Sequence, residues 1–170
     1  MGREIFFLTS LIIFIVQNIF AGTLTYKPND GGYEITFPIG WVLVEKDKGA
    51  TMIAYAPAND GDQFRERVVV NEEYVGNNTN VEFYLFNAIK GVKKKYPSFV
   101  KMKETNTIVD NIYAKEIEYA VDVEGVRVYS KLILLFTRGL VLKFFFLADE
   151  NDVKEYKALF EEIKNRIRFK

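Results

Sequence analysis

A chain of 170 residues, 49% of them hydrophobic, is long enough for one substantial core and short for two. Its 23 Lys and Arg balance 23 Asp and Glu, so no overall field favours nucleic acid or an anionic membrane. It contains neither cysteine nor histidine, which excludes disulfides, thiol nucleophiles, a lipid-bearing cysteine, and Ser-His-Asp, Cys-His and His-zinc chemistry. No cofactor or metal is expected, and an enzyme here would have to work with carboxylates, lysine or tyrosine.

Arg3 and the amino terminus precede an apolar run, Ile5 to Val16, that is broken by Gln17-Asn18. The run is shorter than the roughly 20 residues that span a bilayer and reads as a secretory signal over residues 1–22, cut near Ala21. The alternative is an uncleaved anchor, which would be the chain's one contact with a membrane. Either way residues 23–170 form a single domain outside the cytoplasm.

Thr23 to Gly32, with Pro28 and Asp30-Gly31-Gly32, reads as a lead-in turn. Tyr33 to Phe37 alternates as a half-buried strand, with Tyr33, Ile35 and Phe37 on one side. Pro38-Ile39-Gly40 turns the chain, Trp41 to Val44 makes a second strand and Thr51 to Ala56 a third. After the loop Pro57 to Gln63, Arg65 to Val75 is a valine-rich strand. At Thr79 and Glu82 the period changes: a capping box opens a helix over 80–95 that buries Val81, Leu85, Ala88, Ile89 and Val92 and ends at Pro97. Phe99 to Val109 is a further strand.

The remaining strands specify one another. Turning at Glu124-Gly125 sets Val121 against Val128, Tyr119 against Ser130 and Ile117 against Leu132, with Asp122 facing Arg127 and Glu118 facing Lys131 on the other side. Turning at Arg138-Gly139 sets Leu135 against Leu142, Ile133 against Phe144 and Leu132 against Phe145. Apolar residues at both odd and even positions of Val126 to Thr137 and Leu140 to Ala148 mean that neither face of this hairpin can be left in water. Asp152 and Glu155 then open a second helix, with Val153, Tyr156, Leu159, Phe160, Ile163 and Ile167 in one stripe and Lys154, Lys157, Glu161, Lys164 and Arg168 outward. The fold class is α+β: an antiparallel sheet sandwiched between helices in α/β/α layers.

The segment Tyr33-Glu34-Ile35-Thr36-Phe37-Pro38-Ile39-Gly40-Trp41 resembles the opening strand of PsbP-like proteins, an aromatic alternating strand running into Pro-x-Gly-Trp. The order after it is also similar, from the valine strand through a helix and a long antiparallel run to a C-terminal helix that closes at Ile167-Arg168-Phe169. The resemblance covers Tyr33 to Phe169. It implies an antiparallel sheet between helices and partner binding in place of catalysis. The chain departs from the lipoprotein branch, having no cysteine, and from the metal sites of the photosynthetic branch, having no histidine.

Several residues are of types that can carry chemistry or binding. Tyr33, Phe37 and Trp41 at this spacing supply burial, with Pro38 and Gly40 making the turn. Asp60, Asp62 and Glu66 lack the full spacing of a calcium loop and read as a solvated turn. Glu116 and Glu118 lie two apart and invite an acid/base reading, but the pairing of Glu118 with Lys131 accounts for one of them, and an ordinary charged face is the expectation. Lys93, Lys94 and Lys95, with Lys101 and Lys103, form the one basic cluster, a candidate contact for phosphate or an acidic partner, although it sits at a helix end where positive charge is favoured in any case. Arg65 and Arg67, on one side of a strand, are the leading partner contacts. The expected function is that of an exported, non-catalytic accessory protein that binds a protein partner in an envelope complex. A carrier of an apolar ligand held between sheet and helix is the alternative, and a carboxylate hydrolase lacks a converging polar constellation.

Overall fold

The computed structural model describes residues 22–29, 32–47, 49–58 and 60–170; the proposed signal segment lies outside them apart from Gly22. In chain order the strands are β1 (Thr23–Tyr26), β2 (Tyr33–Pro38), β3 (Val42–Glu45), β4 (Met52–Tyr55) and β5 (Arg67–Tyr74), followed by helix α1 (Val81–Lys95). Four long strands, β6 (Val100–Val109), β7 (Ile112–Val123), β8 (Val126–Thr137) and β9 (Leu140–Asp149), lead to helix α2 (Val153–Lys164) and a short β10 (Arg168–Phe169).

The long strands are joined by two-residue turns in which both central residues have positive φ: Asp110 46° and Asn111 66°, Glu124 51° and Gly125 87°, Arg138 49° and Gly139 77°. Such turns match the right-handed twist of the strands they join and so fix the register. The registers read from sequence hold: Leu135 faces Leu142, Ile133 faces Phe144 and Leu132 faces Phe145, and Val121 faces Val128 with Asp122 opposite Arg127. The last pair closes a 2.9 Å ion pair. The meander continues through β5, β4 and β3 into one seven-stranded antiparallel sheet, ordered β3-β4-β5-β9-β8-β7-β6.

Both faces of the sheet are covered. On one, Val68, Val70, Ile133, Leu135, Phe144 and Phe146 pack with Ile35, Phe37 and Trp41 from the β2 region and Phe160 and Ile163 from α2. Phe37 stacks on Trp41 at 5.5 Å and Phe146 meets Phe160 at 5.3 Å. Tyr33, Phe37 and Trp41 are core residues, and the Tyr33 hydroxyl donates to Glu72 at 2.8 Å. On the other face Ile117, Tyr119, Val121, Leu132 and Leu134 gather with Leu85 of α1.

Four details differ from the sequence reading. Thr23–Tyr26 is a strand paired with β2, not a turn. Trp41 precedes its strand, which starts at Val42. The cap of α1 is Asn80, one residue beyond the expected Thr79, and accepts from the Phe83 N–H at 2.9 Å, while the Thr79 hydroxyl donates to the Val75 and Gly76 carbonyls. Helix α2 stops at Lys164, and Arg168–Phe169 pairs with Glu34 and Tyr33. Ile167 keeps the helical spacing of its stripe, but the free edge of β2, the Tyr33 ring 6.2 Å from Phe169 and the Asp110 carboxylate accepting from the Phe169 N–H at 2.6 Å favour the strand.

Candidate functional site

The acidic candidates of β7 do not form a charged face in water. Glu116 is 6% exposed and Lys131 4%, because α2 lies across them. Lys131 reaches Glu116 at 3.3 Å and also Glu161; Lys164 reaches Glu116 at 3.2 Å and also Glu161. Glu118 faces Lys131 in register, as expected, yet its ion pair is with Lys157 of α2 at 3.2 Å. Glu161 and Lys164, assigned outward by the helical stripe, are therefore part of the α2 interface. Burial opposes the Glu161 charge, but Lys131 and Lys164 outweigh it and hold its carboxyl below the usual range. Burial likewise opposes the Lys131 charge, and Glu161 and Glu116 outweigh it and hold its pKa up. Each carboxylate is matched to a lysine, so the cluster pins a helix and offers no acid free to donate.

Glu66 also leaves the solvated turn assigned to it. It is buried, burial raises its pKa, and its carboxylate accepts from the Asp149 N–H at 3.3 Å. Among the described residues no group of three acidic side chains is placed to hold a metal ion.

The basic candidates are divided between two sides of α1. Lys93 lies 5.4 Å over the Phe99 ring and lines a groove with Lys90, Phe86 and Lys101; Lys101 is paired with Glu104 at 2.9 Å. Lys95 lines the opposite flank, where Arg67 also lies. Arg65 precedes β5, not within it, and donates to the Ala56 carbonyl at 2.6 Å beneath the Tyr55 ring. Arg67 stacks 4.4 Å over Phe64 and donates to the Arg65 carbonyl at 3.2 Å. No carboxylate among the described residues forms an ion pair with Arg67, and burial pushes its pKa down.

Two surfaces around α1 stand out. The first is a cleft of about 380 Å³ between α1 and the sheet, with a wall of Ala88, Gly91 and Val92 and a floor that includes Leu132, Phe145 and Leu147. That volume falls within the roughly 300–1,000 Å³ of small-molecule sites. It exists because α1 is tethered near its ends, through Glu82 to Lys115, Tyr84 on Phe136 and Tyr96 beside the sheet, while its middle carries glycine and alanine. A Cβ added to Gly91 would meet nothing within 4 Å. The second surface is the outward stripe of α1. Phe83 and Phe86 are 66% and 63% exposed, and Lys90, Lys93 and Lys94 continue the same arc at helical spacing, while the acids that line the groove beside them, Glu82 and Glu104, are paired with Lys115 and Lys101. The stripe was legible, since Phe83 and Phe86 fall off the apolar face; the cleft was not, because Phe64, Arg67 and Phe145 meet only across strands.

No protein-family model and no curated protein matches the sequence. Solved structures do. The chain superposes on cyanobacterial PsbP from Synechocystis with a TM-score of 0.70 at 16% identity, over 88% of this chain and 94% of that one. It matches LpqN of Mycobacterium tuberculosis, a protein involved in cell envelope biogenesis, at 0.65 and 13% identity over 86% and 90%. It matches the Ran-binding protein Mog1p of Saccharomyces cerevisiae at 0.57 and 8% identity over 87% and 95%. The architecture expected from Tyr33 to Trp41 and from the strand order is thus found throughout: this chain has the PsbP-like fold.

Proposed function

We propose that the protein is an exported accessory factor that acts by binding a protein partner in an envelope complex and carries out no chemistry of its own. The observation that carries this reading is the outward stripe of α1, where two large rings stand in water beside Lys90, Lys93 and Lys94. Exposed aromatics followed by a run of cations along one side of a helix are what an acidic, partly apolar partner surface requires. The apolar run of the N-terminal segment supports export, and the involvement of LpqN in cell envelope biogenesis and the Ran binding of Mog1p, two fold relatives, are compatible with the reading. Among the described residues no helix is long and apolar enough to cross a membrane. A photo-crosslinker placed at Phe86 in the native cell should give one defined protein adduct, absent when it is placed at Lys154 on α2 and lost in the K90E/K93E/K94E background. An adduct pattern identical at both positions, or unaffected by charge reversal, would refute the assignment.

A second reading, carriage of an apolar ligand, is favoured by the cleft beneath α1. Its floor comes from the sheet and its wall from the helix, the placement that the reading requires.

A further inference from the structure

We infer that the cleft between α1 and the sheet takes a single-chain amphiphile with an anionic head, its chain over Phe145, Leu147 and Leu132 and its head on Arg67. This rests on the carrier reading and specifies the ligand. The argument starts from the sheet register. Arg67 faces Leu147, which faces Ser130, which faces Tyr119; the next row on the same face runs Val69, Phe145, Leu132 and Ile117. Side chains two apart along a strand share a face, so the apolar floor begins beside the guanidinium and continues inward.

Arg67 is half-buried, donates to the Arg65 carbonyl, and leaves the rest of its fork open beside the cleft. Burial opposes the guanidinium charge, Glu66 and Glu124 favour it without forming an ion pair, and an anionic head at the cleft would complete the fork. The other cations of the cleft are Lys143 and Lys95. Lys143 is taken by Glu73 at 2.6 Å, while Lys95 lies over the Tyr96 ring and adds positive charge at the same mouth. Glu124 lines the outer groove that Arg67 also faces, without forming an ion pair with it. A guanidinium fork accepts a carboxylate or a phosphate in the same bidentate geometry, and a cleft of about 380 Å³ suits one chain better than two.

The test uses protein expressed as the full chain and recovered as the host exports it, with decanoate, decyl phosphate and neutral 1-decanol as probes in titration calorimetry. The wild type should bind at least one of the anions about tenfold or more tighter than decanol, and which anion wins decides between carboxylate and phosphate heads. R67Q should bring the anions down to the affinity of decanol without weakening decanol itself. G91L should bind none of the three, because its side chain fills the open space beside the helix. Its melting temperature should be no lower than that of the wild type, since leucine is the better helix former. Equal affinity for all three probes, or anion binding indifferent to R67Q, overturns the anionic-head assignment and leaves the carrier reading standing. Failure of every probe to bind the wild type ends both.

Discussion

Lys131→Met is expected to lower the unfolding free energy by about 3 kcal/mol, the low end of what breaking a buried ion pair costs. The low end applies because Glu116 would keep Lys164 at 3.2 Å. The loss arises because the Glu116–Lys131–Glu161–Lys164 cluster would retain two carboxylates and one ammonium, with Glu116 and Lys164 buried beneath α2 and Glu161 partly exposed at its rim. K131M/E116L, which removes one charge of each sign, should recover to within about 1 kcal/mol of the wild type, since an apolar replacement of matched size costs little. Urea midpoints of the two variants decide the matter: a double variant no more stable than the single one would mean that the lysine is held for its shape and not for its charge.

The same cluster sets a pH window. Glu161 has a lowered folded pKa, so its contribution is in place above the ordinary carboxyl value of 4.5 and is lost as pH falls through the folded value. Lys131 has a raised folded pKa, so its contribution is in place below 10.5 and is lost as pH rises through the folded value. Stability followed by urea midpoint should therefore fall off on both sides, and K131M/E116L should show a shallower alkaline decline than the wild type. An alkaline limb of unchanged steepness in the double variant would place its origin elsewhere.

Phe144→Ala is the second large effect, a loss of about 3–5 kcal/mol. Phe144 has no exposed surface, sits between Val70 and Ile133 in register and meets the Tyr33 ring edge-on at 6.0 Å. Its truncation opens a cavity between the large sheet and the β1-β2-β10 layer that a rigid strand on either side cannot close. Phe86→Ala should change stability by no more than about 0.5 kcal/mol, because its ring already stands in water. The contrast is measurable by denaturant unfolding of the two variants. A mild Phe144→Ala would mean that the apolar strand is not sealed under its cover.

The meander was readable from residues alone for a specific reason. Strand alternation and two-residue turns are both local, so Glu124-Gly125 and Arg138-Gly139 fix which residues face one another before any third element arrives. Apolar residues on both sides of β8 likewise demanded two covers, and both are present. Strand β10 was hidden because two residues carry no period, and its partner, β2, lies more than a hundred residues away. Thr23–Tyr26 was missed on similar grounds, being short and defined by the strand it pairs with.

The candidate surfaces divide along the same line. Phe83, Phe86 and the lysines of α1 could be placed on one arc by counting, since a helix repeats every 3.6 residues whatever surrounds it. Sequence by itself settled the strands of the meander, their register, the apolar stripes of the helices and the chemistry that missing histidine and cysteine forbid. Tertiary structure alone decided that Glu116, Lys131 and Lys164 are buried together with Glu161 at their rim, and that Arg67 forms no ion pair with a carboxylate among the described residues beside an apolar cleft. Burial and charge pairing depend on which distant element lies overhead, and that is determined by the packing of the whole sheet and not by any residue's neighbours in the chain.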